Sequence, residues 1–367
     1  MESFHPGTKS SIFALLVAFL STKKGRNLGA KIIHEYVKKT ILFWIPLKYR
    51  CKMVERIMSM PIAQGQKVMN KTTKPYGYQW DYIHPLKKKN WMGHWITSPD
   101  DDLDLDKADM IIYYIHGGGF RFGHSLMYME SFIHIIEHLK KQKKLKTRIF
   151  SIEYSLMPKV TYDRTKQDCM EGYRYLIEDL KLDSKKIVIA GDSAGGNLVA
   201  NCMFSILNSD DLPLPAANVQ ISPWCTIENS QSHRPNIVYQ DCITYEMLSV
   251  DHGNYFYKNT ENGTVSDDDK IQLLRDPRIS PLYAPSFAGF SPTLITYGGT
   301  EIFQHDIELL IEKMKTEQVK VDVMTRSNAP HIWIISSILS PTHAIWKQDC
   351  SKLAEWCAKQ VANAGLF

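Results

Sequence analysis

The chain lacks the unbroken run of about 20 apolar residues that a usual membrane-spanning helix needs. Its N-terminal apolar run, Ile12 to Leu20, stops short, and no small-residue cleavage site stands out after it. Three readings of that run stay open: a signal-like anchor, an interfacial helix and a cap helix. Internal repeats and low-complexity linkers are absent, which excludes a solenoid or a disordered tether. The seven cysteines (Cys51, Cys169, Cys202, Cys225, Cys242, Cys350, Cys357) include no pair with metal-ligand or redox spacing. Most read as small core residues, with one or two disulfides left open, and no metal or cofactor is expected. Acidic residues are scarce in residues 1–90, which hold 4 Asp and Glu against 17 Lys and Arg, a net +13; the remainder carries −8. A basic, apolar N-terminus points to a membrane surface with anionic lipid, the plain alternative being a solvated helix face. No recognition motif accompanies the charge, so no nucleic-acid partner is expected.

What is present is the material of a large folded unit. A chain of 367 residues, 44% hydrophobic and 23% charged, suits one large α/β domain with insertions, or two domains. Near the start, Leu28, Ile32, Ile33, Tyr36, Val37 and Ile41 recur at helical spacing with Lys31, Lys38 and Lys39 between them. That pattern is an amphipathic helix able to lie on a membrane or cover a pocket. In "TILFWIPL", Pro46 is expected to end or kink a helix. The sequons at Asn70 and Asn262 match what chance supplies and fix no compartment.

From residue 110 onward strand and helix signals alternate. Strands are expected in "MIIYYIHGGGF", "RIFSIEYSL", "KIVIA", "NVQISPW", "PTLITYGG" and "VKVDVMT". Helices are expected over 125–141, 168–180, 194–207, 305–316 and 342–361, with an irregular insertion at 225–290. Continuous β-branched strands joined by helices imply a mostly parallel central sheet buried on both faces. Ligands bind beyond the carboxyl ends of such strands.

Several motifs sit at those ends. "GDSAGG", Gly191 to Gly196, follows a buried strand and opens a helix, the setting of a nucleophile elbow. A Gly-x-Ser-x-Gly match alone arises by chance in roughly 7% of such chains. A phosphate loop is disfavoured because no Gly-Lys-Ser/Thr follows, and the dinucleotide-loop spacing is absent. "HGGGF", His116 to Phe120, has a chance expectation of only about 0.2%. Its glycines let backbone amides converge on one point, as an oxyanion hole requires. Gly117, Gly118 and Ala194 are the expected donors, with Gly119 in the same loop and His116 orienting it. For the base, His331 lies in a loop after "VKVDVMT", downstream of serine and acid; His116, His305 and His343 compete. For the acid, Glu301 stands directly beyond the strand "LITYGG", while Asp306 falls in the first turn of the next helix, where an acid suits the helix dipole. Glu301 is the expected member and Asp306 the alternative.

"HGGGF", "GDSAGGNL", "ISPW", "DPRISPLYA" and "PTLITYGG" stand in the order of the hormone-sensitive-lipase family of α/β-hydrolases, which residues 105–365 resemble. The resemblance implies an α/β-hydrolase fold and serine esterase chemistry through Ser193, an acid and His331. It also implies a cap, built from the N-terminal helices and the 225–290 insertion, over an apolar acyl pocket. The expected division is a membrane-associating and cap segment, 1–90, and a catalytic domain, 91–367. Two departures stand out: Glu301 replaces the family's usual aspartate, and Arg121 occupies a position that is commonly small or apolar. Within the family, the N-terminus and "GGTEIFQHDIELL" look similar to fungal steryl acetyl hydrolases and, more distantly, arylacetamide deacetylases. This similarity implies acetyl esters of hydrophobic alcohols, steryl acetates among them, with amide deacetylation or lipid hydrolysis as alternatives. It also implies the endoplasmic reticulum membrane, with the catalytic domain lumenal. Lys23, Lys24 and Arg26 follow the first apolar run, where the positive-inside rule would want them before it; an interfacial anchor removes that conflict. Six aromatics (Phe43, Trp44, Trp80, Trp91, Trp95 and Trp224) fit an aromatic-rich cap over a hydrophobic alcohol such as a sterol, while core packing explains many of them equally well. A catalytically dead fold serving as a binding module would have lost Ser193 or His331, and neither is lost.

Overall fold

The computed structural model describes residues 42–229, 232, 240–249 and 267–366, together with residues 22, 25 and 29. The run Ile12 to Leu20, the amphipathic positions from Leu28 to Ile41, the Lys23, Lys24 and Arg26 cluster and the Asn262 sequon lie outside the described residues. Among those described, no helix is long and apolar enough to cross a membrane.

From residue 42 onward two α-helices come first, α1 (Leu47–Met58) and α2 (Ile62–Thr73), followed by strands β1 (Ile83–Lys87), β2 (Met92–Ile96) and β3 (Met110–Ile115). Helix α3 (Met129–Lys143), β4 (Thr147–Glu153), α4 (Tyr162–Arg174), β5 (Ile187–Asp192), α5 (Ala194–Leu207) and β6 (Ala217–Ile221) complete the first half. The insertion contributes α6 (Tyr245–Ser249) and α7 (Asp267–Leu274); β7 (Thr293–Gly298), α8 (Gln304–Thr316), β8 (Val321–Arg326) and α9 (His343–Val361) close the chain. The sheet order is β1-β2-β4-β3-β5-β6-β7-β8. β1 and β2 run antiparallel to their neighbours, and the strands from β4 to β8 are parallel.

The expected strands from 110 onward are all present, and their chemistry explains the layering. Every residue of β3 and β5 is buried. Alternate side chains feed opposite faces. Ile111, Tyr113 and Ile115 pack with Ile187 and Ile189 beneath Leu198, Cys202 and Met203 of α5. Met110, Ile112 and Tyr114 pack with Val188 and Ala190 under Phe132 and Ile136 of α3 and Leu353 of α9. Each such side chain contributes roughly 1.5–3 kcal/mol of burial, so a one-residue slip would cost both cores at once. All seven cysteines are buried free thiols.

Two expectations are corrected, at the 90/91 boundary and at the start of α3, and two readings left open are decided. The boundary at 90/91 cuts a hairpin: β1 pairs with β2 from Ile83↔Ile96 to Lys87↔Met92, so the sheet begins before it. A short 3-10 helix, Leu42–Trp44, ends just before Pro46, and Pro46 then stands at the N-cap of α1, where its missing N–H is no loss. Helix α3 begins at Met129, not at 125, because Glu153 takes both the amide and the hydroxyl of Ser125 and holds that residue in a turn. Of the two readings left open for Trp91 and Trp95, cap and core, the structure takes the core, where both pack against Phe150.

Helices α1 and α2 are tied to the body at two places. The guanidinium of Arg50, 1% exposed, donates to the carbonyls of Ile338, Ser340 and Pro341. From α2, Gln66 Nε2 donates to the carbonyl of Arg121 at 2.6 Å, and Thr73 bonds His124 at 2.8 Å.

Candidate active site

Ser193 is the single residue between the end of β5 and the start of α5. Its φ of +53° and ψ of −120° are a strained conformation for a residue with a side chain. The turn can be this sharp because glycines flank it. A Cβ on Gly195 would lie 2.0 Å from the carbonyl oxygen of Ile115, and one on Gly191 would lie 2.6 Å from that of Gly195. The Ser193 amide donates to Ile221, and its carbonyl accepts from Asn197 and Trp224. The backbone is thus fully engaged, while the side chain borders a cavity.

The loop after β3 faces this turn. The amide of Gly117 donates to Oδ1 of Asp192 at 2.9 Å, so it is committed to the protein. This corrects the expected donor set. The amides of Gly118, Gly119 and Ala194 donate to nothing among the described residues. Gly118 and Gly119 line the cavity with Ser193, at φ of +112° and +62°. Asp192 also accepts from the hydroxyls of Tyr114 at 2.8 Å and Tyr128 at 2.6 Å. Burial pushes its carboxyl above the usual range, against the Tyr128 and Tyr114 bonds that hold it down. His116 is buried, stacks on Tyr154 and bonds the Gly117 carbonyl. Burial lowers its pKa, which suits a loop-orienting group rather than a base.

His331, 2% exposed, lines the same cavity as Ser193. Its Nδ1 lies 3.9 Å from Oε2 of Glu301, which is itself fully buried. That distance is an ion-pair contact and not yet a hydrogen bond. Among the described residues neither ring nitrogen of His331 has a hydrogen-bond partner; catalytic contacts are often long without substrate and tighten when it binds. Burial alone would lower the imidazole's pKa, but Glu301, with Asp241 and Asp192 behind it, outweighs burial and raises it. Glu301 is held by the Ser222 hydroxyl at 2.7 Å and the Gly298 amide at 2.9 Å, both to Oε2. Asp306 instead receives the Ser232 hydroxyl in the first turn of α8. His343 pairs with Glu130 at the start of α9. The structure therefore brings Ser193, Gly118, Gly119 and His331 to one cavity, with Glu301 behind the imidazole.

Two residues of this arrangement escape motif reasoning. Ser222, in "ISPW", holds Glu301 and also accepts from the amide of Ile332 at 3.1 Å; its place at the end of β6 was the available signal. Asp241 gave none, because it lies in the irregular insertion.

The cavity measures about 450 Å³. Helix α1 contributes Met53, Val54, Ile57 and Met58, α2 contributes Met69, and the insertion contributes Cys242, Ile243, Met247 and Leu248. Met127 and Met129 join them, making six methionines in an adaptable apolar wall. Of the six aromatics that fit a cap, Trp224 alone borders it. Trp224 stacks between Phe120 of the oxyanion loop and Phe303, whose ring meets His331 edge-on at 5.3 Å. A continuous set of rings thus runs from the oxyanion loop to the imidazole.

A family model of the alpha/beta hydrolase fold matches residues 112–335. An esterase of Acinetobacter venetianus is 26% identical over 216 residues, 58% of this chain and 64% of that protein. A steryl acetyl hydrolase homologue of Schizosaccharomyces pombe is 26% identical over 210 residues, 55% of this chain and 53% of that protein. The chain thus spans 53–64% of the length of these relatives. A hormone-sensitive lipase from a metagenome library shares the fold, with a TM-score of 0.67 over 86% of this chain and 99% of that one, at 20% identity.

Proposed function

The chain belongs to the α/β-hydrolase-fold family whose model spans more than half of it, and on that premise we propose that it is a serine carboxylic-ester hydrolase acting on acetyl and other short-acyl esters of hydrophobic alcohols. The observation that carries the reading is the meeting, at one apolar cavity, of a strained serine, uncommitted backbone amides and a buried histidine backed by a buried glutamate.

Ser193 Oγ attacks the ester carbonyl and His331 takes its proton. Glu301 holds the imidazole in the tautomer with Nδ1–H facing the carboxylate, and stabilises the imidazolium. Charge developing on the carbonyl oxygen is met by the amides of Gly118, Gly119 and Ala194, each donor being worth roughly 3–4 kcal/mol. His331 returns the proton to the leaving alcohol, and a water activated by the same ring releases the acid. A wall rich in methionine and poor in fixed charge supports a bulky apolar alcohol, and the likeness to a steryl acetyl hydrolase homologue supports sterols within that class. The basic N-terminal segment supports docking on an anionic membrane surface; the endoplasmic reticulum as its site rests on the resemblance to fungal steryl acetyl hydrolases alone.

Fluorophosphonate labelling of wild type beside Ser193→Ala and His331→Ala tests the chemistry: label should be lost in both, and full labelling of Ser193→Ala would sink it. Turnover of steryl acetates, p-nitrophenyl esters of graded chain length and an acetanilide tests the substrate. The reading fails if the anilide is preferred. Fractionation at low and at high salt and imaging of a tagged chain test the location; a chain that is soluble already at low salt counts against the membrane.

A further inference from the structure

The loops carrying Glu301 and His331 leave different strands, β7 and β8; they meet directly where the amide and hydroxyl of Thr300 donate to the Ala329 carbonyl, and two further side chains bridge them nearer the reacting groups. One is Ser222 at the end of β6, which donates to Glu301 and accepts from Ile332. The other is Asp241, from the insertion. Its Oδ1 accepts from the amide of His331 at 3.0 Å and of Cys242 at 2.7 Å; its Oδ2 accepts from the amide of Ile302 at 3.0 Å. Beside it, the Gln240 carbonyl accepts from the hydroxyl of Thr300 at 3.1 Å. One carboxylate therefore grips the backbone of the histidine itself and of the residue next to the glutamate.

We propose that Asp241 is a positioning residue, through which the cap insertion sets the separation of the His331 and Glu301 loops and so makes acyl transfer depend on a docked cap. The proposal rests on the reading of Ser193, His331 and Glu301 as the reacting set. Three features give it content. The 3.9 Å between Nδ1 and Oε2 stands about 1 Å from a hydrogen bond, and displacements of that size are worth about 100-fold in rate. The neighbouring Cys242 packs with Cys51 of α1 and Leu339, and both Cys242 and Ile243 border the cavity, so an occupant of the cavity presses on the segment that carries the carboxylate. Asp241 also acts on the ring through space, since its charge favours the imidazolium.

The titratable groups around Asp241 are His331 and Glu301 on the two loops, Cys51 on α1 and its own neighbour Cys242. Burial pushes the Asp241 carboxyl up to about 6, His331 holding it down and Glu301 adding to the rise. As pH falls through that value the carboxyl takes a proton, and an acceptor of two loop amides becomes in part a donor.

The test compares Asp241→Asn and Asp241→Glu with wild type on p-nitrophenyl acetate, with active sites titrated by fluorophosphonate and Ser193→Ala run alongside. Asp241→Asn is expected to lower kcat about 10–100-fold while KM stays within about 3-fold. Its acid limb of kcat/KM should move to lower pH, because a charge that stabilised the imidazolium is gone. Asp241→Glu keeps the charge and should keep the acid limb where wild type has it, with a smaller loss of kcat; it carries the test alone if the asparagine variant does not fold. Unchanged kcat per titrated site, or an Asp241→Asn acid limb that superimposes on wild type, would overturn the proposal. Undiminished labelling of Ser193→Ala would instead overturn the reading on which it rests.

Discussion

The amide of Gly117 donates to Oδ1 of Asp192 at 2.9 Å, tying the first glycine of one loop to the residue just before the serine, 75 positions along the chain. The next two glycines are thereby set beside Ser193 at the cavity with their amides uncommitted. Asp192 can do this because it collects Tyr114 and Tyr128 as well, three donors from the segment 114–128 on one buried carboxylate.

Asp192→Asn should therefore affect both stability and rate. An amide offers one acceptor oxygen to three donors, and its NH2 faces groups that also donate. Leaving a buried donor unmatched costs about 1–3 kcal/mol, so the urea midpoint should fall by an amount equivalent to about 2–4 kcal/mol. Labelling by a fluorophosphonate should slow as the oxyanion loop loosens. An unchanged midpoint would count against Asp192 as the pivot.

Gly118→Ala and Gly119→Ala should differ sharply. A Cβ on Gly118 would lie 2.3 Å from the carbonyl oxygen of Phe122 at a φ of +112°, so backbone must move. A Cβ on Gly119 meets nothing within 4 Å, and its φ of +62° is one that an alanine adopts for about 1–2 kcal/mol. Loss of one oxyanion donor costs about 10²–10³ in kcat; the first variant should show it, and the second should stay within about tenfold of wild type. Steady-state kinetics on p-nitrophenyl acetate separates them.

The base must be neutral to accept the serine proton. Its pKa is raised, so the imidazole is protonated at pH values where an ordinary one, near 6.5, is already neutral. The acid limb of kcat/KM should therefore lie above about pH 6.5, with activity gained as pH rises through it. Glu301→Gln removes the negative charge nearest Nδ1, so the limb should move down in pH while kcat falls about 10²–10⁴-fold. Asp306→Asn should leave the limb in place, its carboxylate being engaged with Ser232. The opposite ranking of the two variants would make Asp306 the acid.

Arg50→Met should release α1. The variant keeps apolar bulk but leaves the carbonyls of Ile338, Ser340 and Pro341 without their donor. A loss of at least about 2 kcal/mol in thermal or denaturant stability is expected. KM for bulky esters should rise more than KM for acetyl esters, since α1 forms one wall of the cavity.

Much of this was legible beforehand. The strands from β3 onward announce themselves because sheets buried on both faces need continuous apolar runs, and "IVIA" before "GDSAGG" can hardly be anything else. Ser193 and the glycine loop were legible because backbone that must turn within one residue, or aim amides inward, restricts residue type. The pair β1 and β2 was not: "IHPLK" and "MGHWI" alternate too briefly, and β1 is an edge strand with few buried positions. The start of α3 was misplaced because Glu153, far along the chain, captures Ser125.

The sequence by itself determined which groups are available: a serine on an elbow, three glycines in a row, a histidine and two acids past strand ends, and a basic N-terminal segment. These follow from local rules of backbone geometry and hydrophobic period. Only the tertiary structure decided which of them act together. It committed Gly117 to Asp192, set Glu301 behind His331 and placed Asp306 on Ser232. It also lined the cavity with methionines, took Trp91 and Trp95 into the core, and brought Asp241 from an irregular insertion onto both catalytic loops. Each of these is a contact between residues far apart in the chain, fixed by where two cores and a twisted sheet put their ends, and no local pattern carries that information.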